Sequence, residues 1–329
     1  MQFVVFALSA AISLIASVLL VSRLERVGER FGVSEALLGL MAALAADGPE
    51  ITSAVTAISN GHATIGVGVT LGSNVFNLAA LLGVSALIAG RIGLHRRSIL
   101  LEGSVVLWIA VAGLAVVVGL LAPVVGLGLA LVAFVPYLGY SALPAASRPR
   151  VSLPRSWSAW LARALAEEEL ELDVAIRPRR GDAWDAAVAG GSLVVVIVAS
   201  VVMEKSATDF GPGLGLTPIM IGGLILAAVT SLPNAVAGIY LALRGRGAAA
   251  LSTAFNSNAI NVIVGLLIPA LILGLGRPSD DSTFVALFSV GLTALAIALA
   301  LQGKGLDRRS GSIIIAGYVV FAAVLITRS

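Results

Sequence analysis

Two carboxylates, Asp47 and Glu50, flank Pro49 inside a stretch, residues 33–58, that is otherwise largely apolar. An ionised side chain at the centre of a bilayer costs at least about 2.5 kcal/mol, so intramembrane acids normally face a protein interior and serve function. A second apolar stretch, 215–243, carries Thr230, Ser231, Pro233 and Asn234 at its middle. Proline lacks a backbone N–H and clashes with the preceding turn. The expectation is therefore that Pro49 and Pro233 break their helices and free carbonyls around 43–46 and 227–230. Such irregular backbone persists in a dry medium only where it lines a cavity or binds something. Ser73 with Asn77, and Ser257 with Asn261, are spaced i, i+4 and so share a helical face. Carboxylates, hydroxyls, amides and carbonyls together make an all-oxygen shell, the kind that hard cations such as Na⁺ and Ca²⁺ require. Asp47 and Glu50 are the metal-ligating candidates. Serine and asparagine in membrane helices also serve as plain interhelical hydrogen-bonding groups.

The elements that must position these residues are membrane spans. Fifty-eight percent of the 329 residues are hydrophobic, 12% are charged and the mean hydropathy is +1.03. That is more apolar surface than a soluble chain of this length can hide in its cores. With about 20 apolar residues needed per crossing, ten spans are expected: 3–21, 33–58, 63–89, 100–120, 123–143, 187–208, 215–243, 248–275, 282–301 and 310–327. The first lacks a basic leader and has Arg23, Arg26 and Arg30 after it, so it reads as a helix rather than a signal peptide. With the N-terminus outside, 18 of the 21 basic residues fall in loops on the inner side, leaving Lys205, Arg277 and Arg328 outside. Positive charge concentrates on the cytoplasmic face of membrane proteins. The expected protein is a multi-pass inner (plasma) membrane protein with both termini outside. Glu102 and Glu204 lie near helix ends, where snorkelling to the interface is expected.

An internal repeat organises the chain. The segment beginning at Gly39 aligns without a gap, at an offset of 184 residues, with the segment beginning at Gly223. Identical pairs include Ala43/Ala227, Pro49/Pro233, Ser73/Ser257, Asn74/Asn258 and Asn77/Asn261. Five spans per half is an odd number, so the second half enters the membrane inverted, and inverted repeats place their site near the midplane. The expected fold is an all-α integral membrane protein of ten transmembrane helices in two inverted five-helix repeats. Its parts are a first half, 1–143, with the ion-binding repeat 33–89; a linker, 144–186; and a second half, 187–329, with the ion-binding repeat 215–275. The linker has Pro144, Pro149, Pro154 and Pro178 and an acidic run from Glu167 to Glu171. It reads as a cytoplasmic connector, with room for an amphipathic helix at Ser156–Leu172.

At these residues the sequence resembles the membrane region of the sodium/calcium exchangers, within the cation/calcium exchanger superfamily. Thr230-Ser231-Leu232-Pro233, Pro49-Glu50, Gly72-Ser73-Asn74-Val75-Phe76-Asn77 and the entry phrase Phe31 to Gly39 carry the resemblance. It implies a Na⁺-coupled Ca²⁺ antiporter whose ions are held by the acidic, hydroxyl and amide residues above, with backbone carbonyls at Ala43 and Ala227 contributing. It implies no cofactor beyond the transported Ca²⁺ and Na⁺ as bound ions.

Three departures stand out. Asn234 occupies the place where the family's second repeat has an acid, Asp47 the place of a serine, and Asn261 the place of an acid found in some members. The two carboxylates therefore both come from one half, close enough in sequence to repel each other. A divalent ion, Na⁺ or a proton would each neutralise such a pair. Three readings follow: a Na⁺/Ca²⁺-type antiporter, a proton-coupled cation antiporter on the same scaffold, and a degenerate member that no longer transports. The partners expected are the lipid bilayer and small inorganic cations, not nucleic acid. No enzyme motif is present: the chain has no cysteine and two histidines, His62 and His95, so thiolate and histidine-cluster chemistry is excluded.

Overall fold

A computed structural model of the chain describes residues 1–30, 43–142, 160, 163–164, 181–243, 247–303 and 305–328. Apolar runs become helices, some of which carry a proline, as Pro123–Ala142 does at Pro136. These are α1 (Gln2–Arg30), α2 (Gly48–Ser59), α3 (Ala63–Ala89), α4 (Arg96–Val117), α5 (Pro123–Ala142) and α6 (Ala183–Phe210). They continue as α7 (Pro218–Thr230), α8 (Leu232–Leu243), α9 (residues 247–273), α10 (Asp280–Gln302) and α11 (Arg308–Thr327). Seven of the described helices are long and apolar enough to cross a membrane, and the α7–α8 pair, bent by 47°, makes an eighth. The chain is an α-helical membrane protein.

Local chemistry sets the helix ends. Asp182 caps α6 in a capping box with Asp185, so this helix begins at Ala183 rather than at the expected 187. Ser279 caps α10 and Asp307 caps α11, each accepting from a backbone N–H three residues on. α1 runs well past the expected residue 21, because nothing before Gly28 breaks a helix; Arg23 and Arg26 are therefore helical. Both reach Asp185 at the start of α6, at 2.6 and 3.5 Å. A two-stranded antiparallel ribbon, β1 (Arg91–Gly93) with β2 (Gly305–Asp307), corrects the all-α expectation and ties one half to the other. The proposed helix at Ser156–Leu172 and the entry phrase Phe31–Gly39 lie outside the described residues, save for Trp160, Arg163 and Ala164, which are helical.

The main core lies among α3, α4, α9, α10 and α11, around Leu78, Leu81, Ile109, Phe255, Leu266 and Phe321. Smaller clusters bind α1 and α6 to α2 and α7, through Phe6, Ala54, Met203 and Ile221 towards one end. Ala16, Leu20, Ala189 and Val196 pack α1 and α6 against Ala45, in the helical residues 43–46 before the break at Asp47. α3 meets α7 backbone to backbone: a Cβ on Gly72 would lie 2.5 Å from the Gly223 carbonyl oxygen, and one on Gly68 would lie 2.9 Å from the Gly223 nitrogen. Small residues permit that approach. Both repeats also carry a π-helical turn just after their shared Ser-Asn pair (Ser73-Asn74 and Ser257-Asn258), at Leu78–Val84 and Asn261–Leu267. Such turns cluster at functional sites.

Candidate cation site

The two helix breaks fall where the prolines predict them, but the carbonyls of Ala43 and Ala227 keep backbone partners. Residues 43–46 are helical, Asp47 forms a turn, and α2 starts again at Gly48 with Pro49 in its first turn. A missing N–H is harmless at that position. Ser231 makes the equivalent turn between α7 and α8. The Ala43 carbonyl accepts from the Asp47 N–H at 2.8 Å, and the Ala227 carbonyl from the Ser231 N–H at 3.2 Å. The physical reason is register. A proline deprives the carbonyl four residues back, which for Pro49 is that of Ala45. That carbonyl takes the Ser17 hydroxyl of α1 instead, at 3.4 Å. The Ala227 carbonyl also accepts from the Ser73 hydroxyl at 3.4 Å.

All nine side chains expected at the site are buried, none more than 1% exposed. Six of them form one network drawn from both halves. Asn234 Nδ2 donates to Asp47 Oδ1 at 2.6 Å, to Ser257 Oγ at 3.1 Å and to Glu50 Oε1 at 3.4 Å. Ser257 Oγ donates to Asp47 Oδ1 at 2.6 Å, and Asn77 Nδ2 donates to Ser257 Oγ at 3.1 Å. Asn261 Nδ2 donates to Glu50 Oε2. Ser231 lies beside Glu50, and Asp47 is near enough to repel the Glu50 carboxylate. Ser73 and Thr230 are turned away onto backbone: Ser73 donates to the Ala227 carbonyl at 3.4 Å, and Thr230 to that of Leu226 at 2.8 Å.

Four oxygens of this network have no hydrogen-bond donor among the described residues: Asp47 Oδ2, Asn77 Oδ1, Asn234 Oδ1 and Asn261 Oδ1. A buried acceptor without a donor costs about 1–3 kcal/mol, so four in one cluster need a reason. They are what a cation would use: oxygen lone pairs, two carboxylates, and walls that exclude water. Among the described residues no group of three His, Cys, Asp or Glu side chains gathers anywhere. Among the described residues, the charge opposing a cation here comes from Asp47 and Glu50 alone.

Sequence reasoning assigned no role to Asn74 and Asn258, which lie at the heart of the network. Asn74 Nδ2 donates to the Asn258 carbonyl and Asn258 Nδ2 to the Asn74 carbonyl, both at 3.1 Å. Their appearance as an identical pair in both repeats was the available signal. The snorkelling expected of Glu102 and Glu204 is also corrected: they are 4% and 1% exposed. Position along a helix suggested the interface, but the face on which each lies turns it inward. Glu204 accepts from Thr208 Oγ1 at 3.2 Å and stands 4.0 Å from His62 Nδ1.

The chain is similar in sequence and in fold to proteins described as exchangers. A family model described as sodium/calcium exchanger protein matches residues 1–145 and 184–327. The sodium/potassium/calcium exchanger 4 of Mus musculus is 30% identical over 135 residues, covering 38% of this chain and 22% of that protein. The sodium/potassium/calcium exchanger 2 of Homo sapiens is 30% identical over 142 residues, covering 41% and 22%. The matches thus span about a fifth of the length of these curated relatives. The crystal structure of the H⁺/Ca²⁺ exchanger CAX superposes with a TM-score of 0.69 at 16% identity, covering 100% of this chain and 86% of that one. The sodium–calcium exchanger NCX_Mj superposes with a TM-score of 0.63 at 19% identity, covering 98% of each. At these identities the likeness is one of fold.

Proposed function

This chain belongs to the sodium/calcium exchanger protein family, and on that premise we propose that it is a secondary active antiporter exchanging Na⁺ for Ca²⁺ by alternating access. The observation that carries the reading is the buried oxygen cluster, with two carboxylates and four donorless oxygen acceptors contributed from both halves. Asp47, Glu50, Asn77, Asn234, Ser257 and Asn261 hold the ions directly. Ser231 and the carbonyls of Ala43 and Ala227 complete the shell, and Ser73 and Thr230 join it by turning from their backbone partners. No cofactor takes part; Ca²⁺ and Na⁺ are the cargo.

The scaffold in this proposal is ten spans in two inverted halves in the plasma membrane, with both termini outside and the 144–186 linker in the cytoplasm. The equivalent breaks at Asp47 and Ser231 and the paired π-turns support the repeat. The charge bias supports the orientation.

A proton-coupled antiporter is the second reading. It is favoured by the convergence of both carboxylates on the single amide of Asn234, since a close pair of carboxylates is readily neutralised by a proton. Full-length protein reconstituted in vesicles, with Na⁺ and pH gradients imposed separately, decides between them. The expected result is ⁴⁵Ca²⁺ uptake driven by an opposing Na⁺ gradient. Uptake that follows the pH gradient and ignores Na⁺ establishes the second reading, and no flux under either gradient sinks both.

A further inference from the structure

Four asparagines, two from each repeat, close a ring at the meeting of α3 and α9. Asn74 and Asn258 exchange amide-to-carbonyl bonds. Asn77 Nδ2 then donates to Asn258 Oδ1 at 3.3 Å, and Asn261 Nδ2 donates to Asn74 Oδ1 at 3.2 Å. All four side chains are buried.

The order of donors in this ring is forced. A main-chain carbonyl can only accept, so the atom of Asn258 that faces the Asn74 carbonyl must be its NH₂ group. Its oxygen is thereby presented to Asn77, and an oxygen there can only face the NH₂ group of Asn77. The amide of Asn77 has one orientation left, with Oδ1 on the far side, and that oxygen is one of the four without a donor. The same reasoning runs from Asn74 to Asn261, whose Oδ1 is another. An asparagine amide turned by 180° would offer hydrogens instead of an oxygen. At a cation site that turn converts a ligand into a repulsive group.

Resting on the cation-site reading above, we propose that Asn74 and Asn258 are positioning residues: they hold the amides of Asn77 and Asn261 with their oxygens toward the bound cation. Each repeat thus orients the ligand supplied by the other. Partners of this kind, behind the atoms that touch a metal, are worth about 10–100-fold in affinity.

The test is a double-mutant cycle on the purified full chain, with ⁴⁵Ca²⁺ affinity measured per folded protein. Asn258→Ala should weaken Ca²⁺ binding by about 10–100-fold. In an Asn77→Asp background the carboxylate presents oxygen whichever way it turns. There Asn258→Ala should cost no more than about twofold, so that the two changes are strongly coupled rather than additive. An equal loss in both backgrounds, or a lowered melting temperature with unchanged affinity, reduces Asn258 to interhelical glue and overturns the proposal. If Asn258→Ala does not fold, the mirror cycle of Asn74→Ala with Asn261→Asp gives the same comparison. Absence of Ca²⁺ binding in the wild type would count against the function instead. The orientation is then read without cations, as slow side-chain amide hydrogen exchange at Asn77 that Asn258→Ala abolishes; fast exchange in the wild type overturns it.

Discussion

Glu50 is the carboxylate on which most of the site leans, with Asn261, Asn234 and Ser231 all beside it. Glu50→Gln removes a charge while keeping shape. Transport should fall at least about tenfold, the equivalent of some 1.4 kcal/mol of lost ligand energy. Gel filtration should still show a folded protein, and wild-type flux in vesicles would dismiss the site. Asp47 and Asn234 bear on a second question, because these two of the three positions that depart from the family's pattern touch each other at 2.6 Å across the two halves. The contact lets the second carboxylate sit on either side of it while the charge in the cavity stays the same, and an uncompensated charge in low dielectric is costly. Asp47→Asn should therefore weaken Ca²⁺ binding. Asp47→Ser combined with Asn234→Glu should recover more flux than Asp47→Ser alone. Equal flux from the two would refute compensation and point to Asp47 as a proton carrier.

Among the elements, the crossing of α3 with α7 is the tightest joint near the site. A side chain at Gly72 would meet the backbone of Gly223, which cannot yield as a flexible side chain can. Overpacking of this kind costs about 1–3 kcal/mol. At about 2–4 °C per kcal/mol, Gly72→Val should lower the melting temperature in detergent by several degrees. Gly190 in α6 is the control: no atom would lie within 4 Å of a Cβ there. Gly190→Ala should raise stability slightly, since alanine is about 1 kcal/mol better than glycine in a helix. If both variants melt alike, the close approach of the two backbones is not what holds the joint. The long pair α1 and α6 is held differently, by Arg23 and Arg26 on Asp185 at one end and the Gln2–Asp209 bond at the other. Between them, Ser13 and Ser200 meet at 3.0 Å.

Taken whole, the molecule is amenable to a topology test because its chain has no cysteine. A cysteine placed at Ser152 in the linker should react with a membrane-impermeant maleimide only after the cells are opened. One placed at Gly213, exposed in the turn after α6, should react on intact cells. The reverse pattern would invert the proposed orientation, and with it the side from which each ion enters.

The sequence by itself determined that the chain lives in lipid, because apolar spans and the placement of arginines follow from composition and order alone. It also singled out Asp47, Glu50 and Asn234 of the buried cluster, since acids and prolines at the middle of apolar spans stand out in one dimension. Position along a helix, however, says nothing of which way a side chain faces. That is why the inward turn of Glu102 and Glu204, and the retreat of Ser73 and Thr230 onto backbone, were not legible. The ring of Asn74, Asn77, Asn258 and Asn261 was equally hidden, though every member was marked by the repeat. Hydrogen bonds between residues some 180 positions apart exist only once two helices from opposite halves have been brought together. Tertiary packing alone decided which atom of each amide faces the site.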